Sequence, residues 1–185
     1  MLLLVKVLFC QPLNIMKKII IVIGLLLILI IGLNFYSNQR IKIKLINCID
    51  GDTAWFIIND KKEKVRFLGI DTPESTTYIE EYGKEASDYT CNVLKEAKHL
   101  YIEYDLNSDR YDKYDRILGW VFVDNNNLSE LLLSKGYAQV KYIYGDYLYV
   151  DRLCEVQEEA YNNKLGIWNS DNEYQDNYCN QDYSK

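Results

Sequence analysis

The chain has 185 residues, a formal net charge of −6 and a hydrophobic content of 49%. An acidic chain lacks the basic face on which non-specific binding to nucleic acid depends, so a polyanionic substrate would need positive charge concentrated locally. Its single histidine, His99, excludes two-histidine acid–base chemistry and metal sites built on several histidines. No cysteine spacing matches a zinc site.

The first predicted element is an apolar segment near the N-terminus. Every residue from Ile19 to Leu33 is apolar or glycine, and Lys17 and Lys18 come directly before it. A basic start followed by an apolar run is typical of a signal peptide or a membrane anchor. No clear cleavage site follows, so we predict an uncleaved hydrophobic helix that anchors the protein in the membrane, with secretion as the alternative. The positive-inside rule places the rest of the chain on the extracellular side of the cell membrane.

Three strands and a turn are predicted next. Apolar and polar residues alternate over residues 41–46, which is the period of a half-buried strand. Asp50-Gly51-Asp52 is typical of a tight turn, and the β-branched and aromatic residues after it favour a strand over 53–58. A polar turn over 59–63 leads to a third strand over 64–68, so the three strands form a meander.

Helices alternate with two further strands in the second half of the chain. Apolar residues on one helical face predict a helix over 83–97. Asn127, with Glu130 three residues later, resembles a capping box that opens a short helix, and Gly136 closes that helix. The remaining predicted elements are strands over 100–104 and 117–123 and a last helix over 148–163.

This order of elements predicts an α+β fold rich in β-structure. Five short strands with an inserted helix favour an OB-type five-stranded Greek-key barrel with three helices, preceded by the N-terminal hydrophobic helix. Residues 1–38 form the predicted signal or anchor segment, in which Met16 is a better candidate for the true start than Met1. Residues 39–170 form the barrel domain, and the polar residues 171–185 form a mostly disordered tail.

Acidic side chains mark a candidate cation site. Asp52 follows the predicted hairpin turn and Asp71 follows the third strand, so in a meander both carboxylates can reach one point. Carboxylate oxygens and waters suit Ca²⁺ or Mg²⁺. Glu74 is close enough in sequence to orient or deprotonate an attacking water. Each acid taken alone is more often a turn residue or a helix-start charge, and only the group points to chemistry.

Two arginines would supply the positive charge that the acidic chain needs. A guanidinium matches phosphate oxygens in bidentate fashion, which makes Arg66 and Arg116 candidate phosphate clamps. Arg66 and Asp71 lie five positions apart, so they share a face only if the chain bends at Gly69 between them. A cation beside a phosphate indicates metal-assisted chemistry on a phosphodiester. The alternative is that Arg66 is a surface residue paired with an acid and that Arg116 is a solvated charge.

Tyrosines near such a site can stack on bases, which is a sequence-tolerant way to hold a single strand. The chain has 17 tyrosines, so some of them are also expected to pack the barrel. For Tyr142 and Tyr144 the stacking and packing interpretations carry equal weight. The candidates are Tyr82, Tyr114, Tyr142 and Tyr144.

Taken together, these residues resemble the staphylococcal nuclease (thermonuclease) family. The resemblance runs from about residue 41 to 169 and rests on six short islands in the family's order, which are far more specific together than any one alone. The islands are Ile49–Thr53, Arg66–Glu74, Tyr82–Ser87, Asp112–Arg116, Lys135–Ala138 and Leu165–Trp168.

The resemblance implies an OB-type barrel and Ca²⁺-dependent cleavage of DNA and RNA that leaves 3′-phosphate ends. It assigns Asp52, Asp71 and the backbone carbonyl of Thr72 to the Ca²⁺ ion. Asp50 would lie close to the metal without binding it. Glu74 would act as the general base on the attacking water.

The resemblance also implies which side chains hold the substrate. Arg66 and Arg116 would bind the scissile phosphate and stabilise the charge of the transition state. Lys113 and Tyr114 would touch a neighbouring phosphate, and Tyr142 would line the nucleotide pocket. We expect a monomer that acts on DNA and RNA and favours single strands.

The chain departs from the family at Asp115, where the family usually has glycine. An acid at this position could alter the loop and compete with phosphate for Arg116. The alternative to catalysis is a non-catalytic OB-fold module that binds nucleic acid or protein. Such modules lose the acids or arginines that this chain keeps.

The cysteine positions in the sequence do not determine which cysteines, if any, form disulfides. Outside the cell a disulfide is permitted, and Cys91 with Cys154 is our first choice of pair. Unpaired, partly buried thiols are the alternative.

Overall fold

The computed structural model describes residues 16–29, 40–169 and 178–180. The chain divides into two units, Met1–Gln39 and Arg40–Lys185. In the first unit, residues 16–29 form a helix, α1, in which most of the apolar side chains are exposed.

Across those described ranges, no helix is both long enough and apolar enough to cross a bilayer. The predicted anchor over residues 19–33 extends beyond them, so the anchor stays a prediction. The predicted tail over 171–185 also lies mostly outside the described residues. Within it, Tyr178–Asn180 form a short 3₁₀ helix.

The second unit consists of short strands and three α-helices in its described residues. The strands are β1 (Ile41–Cys48), β2 (Thr53–Ile58), β3 (Lys61–Phe67), β4 (Ile70–Asp71), β5 (Leu100–Glu103), β6 (Ile117–Val123), β7 (Asn126–Asn127) and β8 (Gln139–Val140). The helices are α2 (Gly83–Glu96), α3 (Leu128–Ser134) and α4 (Val150–Asn162), and a 3₁₀ helix follows over Gly166–Asn169.

Five of these strands close into a barrel. Neighbouring strands pair in the order β3-β2-β1-β5-β6, and β3 also pairs in parallel with β6. This additional pairing joins the two ends of the sheet, and closure removes the open edges that a flat sheet would expose. Among the largest fully buried side chains are Phe56, Phe67, Ile102 and Trp120, all on barrel strands. The predicted α+β, OB-type five-stranded barrel with three helices is confirmed.

The turn between β2 and β3 is shorter than predicted. Asn59 and Asp60 both have positive φ, 48° and 62°, and the strands pair directly on either side of them, at Ile58 and Lys61. Two consecutive left-handed residues are the requirement of a two-residue hairpin turn. The third strand therefore begins at Lys61 and not at Lys64, because asparagine and aspartate tolerate this conformation.

The two-residue strands were not predicted from the sequence, although the pairing of β4 with β8 shapes the site. β4 and β8 pair antiparallel, with Ile70 opposite Val140 and Asp71 opposite Gln139. Two-residue strands are too short to show an alternating pattern. Their pairing brings the chain near residue 140 alongside Asp71.

The predicted Cys91–Cys154 disulfide is wrong. The structure pairs Cys48 with Cys91 and Cys154 with Cys179. The reason is the packing of the helices, because α2 lies against β1, which ends at Cys48, whereas α4 packs against α3. The spacing of the cysteines in the sequence does not reveal which of them become neighbours in the folded domain.

Asp105 fastens the chain segment before α4 to the barrel. One of its carboxylate oxygens, Oδ2, accepts hydrogen bonds from Nε1 of Trp120 at 2.9 Å and from the backbone amide of Leu148 at 2.8 Å. The other, Oδ1, accepts from the backbone amide of Asn107 at 3.0 Å. Asp105 is buried, so these three donors satisfy it in a place that water barely reaches.

We predict that Asp105→Asn lowers the free energy of unfolding by about 2 kcal/mol, because an amide nitrogen would face donors that now meet an acceptor. Urea unfolding measures the loss. The matched control is Asp109→Asn, an exposed acid of the same loop, for which we expect a change below about 0.5 kcal/mol. Equal effects of the two substitutions would contradict this assignment.

Candidate active site

One pocket of about 580 Å³ in the second unit gathers most of the predicted site residues. Its lining includes Asp52, Arg66, Asp71, Glu74, Lys113, Tyr114, Arg116 and Tyr142. Of the predicted residues, Tyr82 lies outside this lining and packs against the cluster of Ala160, Ile167 and Trp168. Thr72 also lies outside it. Its backbone amide and hydroxyl donate hydrogen bonds to Oδ2 of Asp52, at 3.2 Å and 3.3 Å.

The turn between β1 and β2 brings two carboxylates to the pocket. Oδ1 of Asp50 accepts a hydrogen bond from the backbone amide of Asp52 at 3.1 Å, which fixes the turn in the usual manner of an aspartate. Asp52 is only 6% exposed. The predicted tight turn therefore does more than reverse the chain, because it places an acid inside the domain.

Arg66 on β3 connects the two predicted metal ligands. Its Nη1 lies 2.5 Å from Oδ2 of Asp52, and its Nη2 donates to Oδ1 of Asp71 at 3.1 Å. Gly69, with a φ of 76°, provides the bend that brings Asp71 to the same side as Arg66. The Nη1 group is buried in ion-pair contact with Asp52, so both carboxylates engage Arg66 in this structure.

Lys141 also contacts the carboxylates, although no sequence pattern indicates it. Its Nζ lies 3.1 Å from Oδ2 of Asp71, across 70 positions of sequence. The pairing of β4 with β8 produces this contact, and the backbone amide of Lys141 continues the pairing by donating to the carbonyl of Gly69 at 3.1 Å. Asp71 therefore has two cationic partners.

Arg116 is held by Asp112 from its own loop. Nε of Arg116 donates to Oδ2 of Asp112 at 2.6 Å, and the backbone amides of Arg116 and Tyr114 donate to Oδ1 at 2.9 Å. Burial alone would raise the pKa of Asp112, but these hydrogen bonds lower it overall. At its other end, Nη1 of Arg116 lies 3.4 Å from Oγ1 of Thr53, which in turn donates to Asp52.

Asp115 occupies a position that favours glycine. Its φ is 59°, a left-handed conformation that aspartate tolerates better than most residues. The loop keeps its turn, since the backbone amide of Asp115 donates to the carbonyl of Asp112 at 3.1 Å. Among the described residues, the carboxylate that pairs with Arg116 is Asp112 and not Asp115.

Glu74 lies at the pocket on the segment between β4 and α2. Its backbone amide donates to the carboxylate of Glu80 at 2.8 Å, and its own carboxylate accepts from the hydroxyl of Thr76 at 3.1 Å. Gly83, which begins α2, packs so closely that a Cβ there would lie 2.1 Å from the carbonyl oxygen of Glu74. The start of α2 thus fixes the backbone that carries this acid.

The tyrosines stand beside the arginines with exposed rings. The ring centre of Tyr142 lies 5.6 Å from Cζ of Arg66, and that of Tyr114 lies 5.5 Å from Cζ of Arg116. Lys113 approaches the ring of Tyr114, with Nζ at 5.0 Å from its centre. These rings are 47% and 66% exposed, so they do not pack the barrel core.

Burial and repulsion raise the pKa of two acids at the pocket. Burial is the main cause for Asp50, whose pKa rises to about 6, and the nearby charge of Asp52 adds to it. Burial also raises the pKa of Asp71, against the opposing charges of Arg66 and Lys141. Crowded carboxylates of this kind favour a cation, because a cation removes their repulsion.

The donor set fits a hard divalent cation, since Asp52 and Asp71 offer oxygen ligands. Within the described residues, no three acidic, histidine or cysteine side chains converge to form a complete metal cage. The protein would supply two carboxylates, and backbone carbonyls and water would complete the roughly six to eight oxygens of Ca²⁺. The raised pKa values of Asp50 and Asp71 support this fit.

Fold and site together define a class of protein, an OB-type barrel with buried carboxylates and guanidinium groups arranged around one pocket. Comparison with known families specifies the class further. The family described as "Staphylococcal nuclease homologue" matches residues 64–170. The chain belongs to this family.

Individual relatives agree with that membership. The chain is 38% identical to "Endonuclease YncB" of Bacillus subtilis over 138 residues, which are 71% of this chain and 64% of the relative. It is 36% identical to "SPbeta prophage-derived endonuclease YokF" of the same species over 71% of this chain and 45% of the relative. It is 34% identical to "Thermonuclease" of Staphylococcus hyicus over 75% of this chain and 81% of the relative. The chain thus covers less than two thirds of the first two relatives.

We predict that Asp50→Asn stabilises the metal-free protein at neutral pH. A raised folded-state pKa means that the folded protein holds this proton more tightly than the unfolded chain does. Stability therefore falls as pH rises from the ordinary value of 3.8 through about 6. The free energy of unfolding of the variant should fall less over this pH range. At pH 7.5 it should be about 1 to 3 kcal/mol higher than that of the unaltered protein.

Urea unfolding between pH 4 and pH 8 in a chelator measures the effect. Asp60→Asn, an exposed acid in the β2–β3 turn, is the control. A parallel pH dependence of Asp50→Asn and the unaltered protein would contradict the assignment.

Proposed function

We propose that the protein is a Ca²⁺-dependent nuclease that hydrolyses phosphodiester bonds in DNA and RNA and leaves 3′-phosphate ends. Membership of the staphylococcal nuclease family supports a hydrolase acting on phosphodiester bonds. The observation that carries the proposal is the position of Arg66. Its guanidinium lines the pocket and contacts both Asp52 and Asp71, so a cation that bound these carboxylates would release it to donate to a phosphate oxygen.

The acids have different roles in the proposed chemistry. Asp52 and Asp71, together with the carbonyl of Thr72, would hold the Ca²⁺ ion, which when bound neutralises charge on the phosphate and polarises it. Glu74 would accept a proton from the water that attacks phosphorus. The hydroxyl of Thr76 bonds to the Glu74 carboxylate and orients it for this task.

The arginines would act on the phosphate itself. Arg66 and Arg116 would donate to its non-bridging oxygens and stabilise the negative charge that grows in the transition state. Because Arg116 is paired with Asp112, its guanidinium is already aligned before a substrate binds.

Three cationic side chains, Arg66, Lys113 and Arg116, line the pocket alongside six acids. A cation bound by the acids would offset their charge, and the three cationic side chains could then bind a polyanion. The exposed rings of Tyr114 and Tyr142 would stack on bases, which favours a single-stranded substrate bound by a monomer.

We predict that the full-length protein degrades denatured DNA in Ca²⁺ and stops when a chelator is added. Glu74→Ala and Arg66→Ala should each lower kcat by about 10² or more, because the first removes the base and the second removes a phosphate donor. Gel assays with end-labelled DNA measure the rate, and removal of the terminal phosphate of the products by a 3′-specific phosphatase identifies 3′-phosphate ends.

Two exposed residues on α4, Glu158 and Arg152, provide matched controls. Glu158→Ala and Arg152→Ala remove the same charges elsewhere and should leave kcat unchanged. Retention of full activity by Glu74→Ala and Arg66→Ala would reject the mechanism. DNA binding without Ca²⁺-stimulated cleavage would favour the non-catalytic OB-fold module instead.

We further propose that the N-terminal segment anchors the nuclease on the extracellular side of the cell membrane. The support is the uncharged run from Ile19 to Leu33 behind Lys17 and Lys18. Protease added to intact cells should digest the barrel domain, and deletion of residues 19–33 should protect it by keeping it inside. Recovery of the undeleted protein only from the medium would indicate a cleaved signal peptide.

A further inference from the structure

The disulfide between Cys48 and Cys91 lies directly beside the candidate metal site. Cys48 is the last residue of β1, two positions before Asp50, and Cys91 lies within α2. Both cysteines are half-buried, so a small thiol reagent can reach them. The bond joins the strand that leads into the acidic turn to the helix that packs against it.

Hydrogen bonding and packing hold the same turn from two sides. Thr90, the neighbour of Cys91, donates its hydroxyl to the carbonyl of Gly51 at 2.6 Å, and this contact is fully buried. Gly51 also packs so closely on Thr72 that a Cβ would lie 2.6 Å from the threonine hydroxyl oxygen. The turn is therefore confined between α2 and the segment after β4.

Such confinement has an electrostatic reason. Asp50 and Asp52 carry like charges within three residues, and Asp52 is buried while Asp50 is half-buried. Their repulsion is strongest when no cation is bound, and it favours a turn that opens and separates the two acids. A restraint that keeps the turn closed thus holds the carboxylates ready for a cation.

The start of the same helix also contacts the segment that carries the candidate base, Glu74. Gly83 at the start of α2 contacts the carbonyl of Glu74, and Glu80 accepts from the Glu74 amide. A covalent bond between α2 and the end of β1 therefore fixes the acidic turn and the Glu74 segment relative to one another.

We propose that the Cys48–Cys91 disulfide is a positioning element of the active site, which holds the Asp50–Asp52 turn against α2 in the arrangement that binds the divalent cation. This inference rests on the proposed function for the identity of the cation. Cys48 and Cys91 are positioning residues, since they act through Asp52 and Glu74 and touch no substrate. Reduction by a dithiol breaks the S–S bond, leaves two thiols on the protein and converts the dithiol to its cyclic disulfide.

The second disulfide provides a matched control. Cys154 and Cys179 are also half-buried, and their bond joins α4 to the short 3₁₀ helix at Tyr178–Asn180. In the described ranges, no hydrogen bond or ion pair connects either cysteine to residues 50–52. Removing this bond tests the general cost of losing a disulfide.

The experiment compares full-length Cys48→Ser/Cys91→Ser with full-length Cys154→Ser/Cys179→Ser. Calorimetric titration with Ca²⁺ alone should show about tenfold weaker binding for the first variant, as expected if the closed turn falls to about one tenth of the population. The control should stay within about twofold of the unaltered protein. Hydrogen exchange without metal should become faster at the amides of residues 49–53 in the first variant only.

Each outcome decides between distinct conclusions. Equal weakening of both variants would assign the effect to general stability and overturn the inference, as would Ca²⁺ binding and exchange in the first variant that match the unaltered protein. Failure of the unaltered protein to bind Ca²⁺ would reject the proposed function, while the exchange at residues 49–53 still tests the positioning role.

If the Cys48→Ser/Cys91→Ser variant misfolds, two further measurements still test the proposal. Mild reduction of the folded Cys154→Ser/Cys179→Ser protein opens only the Cys48–Cys91 bond and should produce the same tenfold loss. Thr90→Val removes the hydrogen bond to Gly51 at similar side-chain volume and should loosen the same amides. Unchanged Ca²⁺ binding and unchanged exchange after reduction would overturn the inference.

Discussion

The buried contact of Arg66 with Asp52 and Asp71 constrains the rest of the domain. A buried charge without its partner costs several kcal/mol, so the three groups have to arrive at one place together. Each comes from a different element, because Arg66 lies on β3, Asp52 at the β1–β2 turn and Asp71 on β4. The register that pairs Thr53 with Arg66 sets the first distance, and the bend at Gly69 sets the second.

This arrangement gives the site its own counter-ions. Arg66 and Lys141 neutralise Asp71, and Asp112 neutralises Arg116, so the pocket is folded around internal ion pairs. In the proposed function, binding a cation and a phosphate would amount to an exchange of partners, in which the cation takes the carboxylates and the phosphate takes the guanidinium groups. Such an exchange would avoid the burial of new net charge and would let a chain of net charge −6 accept a polyanion.

Sequence patterns predicted the parts of the fold that depend on local chemistry. The bounds of β2 and β6 and the start of α2 follow from residue type and periodicity, and the bend at Gly69 follows from the need to bring Arg66 and Asp71 together. Pairings between residues far apart in the sequence could not be predicted. The β4–β8 pair, the contact of Lys141 with Asp71 and both disulfides join residues whose proximity only the closed domain creates.

Two of the missed residues lie close to the family islands. Cys48 comes directly before the island that begins at Ile49, and Lys141 lies three residues after the island that ends at Ala138. In the proposed mechanism, residues within the family islands would supply the ligands and donors that the chemistry needs. Residues just outside them would alter how firmly those groups are held, because a disulfide would restrain the turn and an ammonium group would compete with a metal for one carboxylate. The proposed reaction would thus depend on the islands, whereas cation affinity would depend on neighbours that the tertiary fold brings into place.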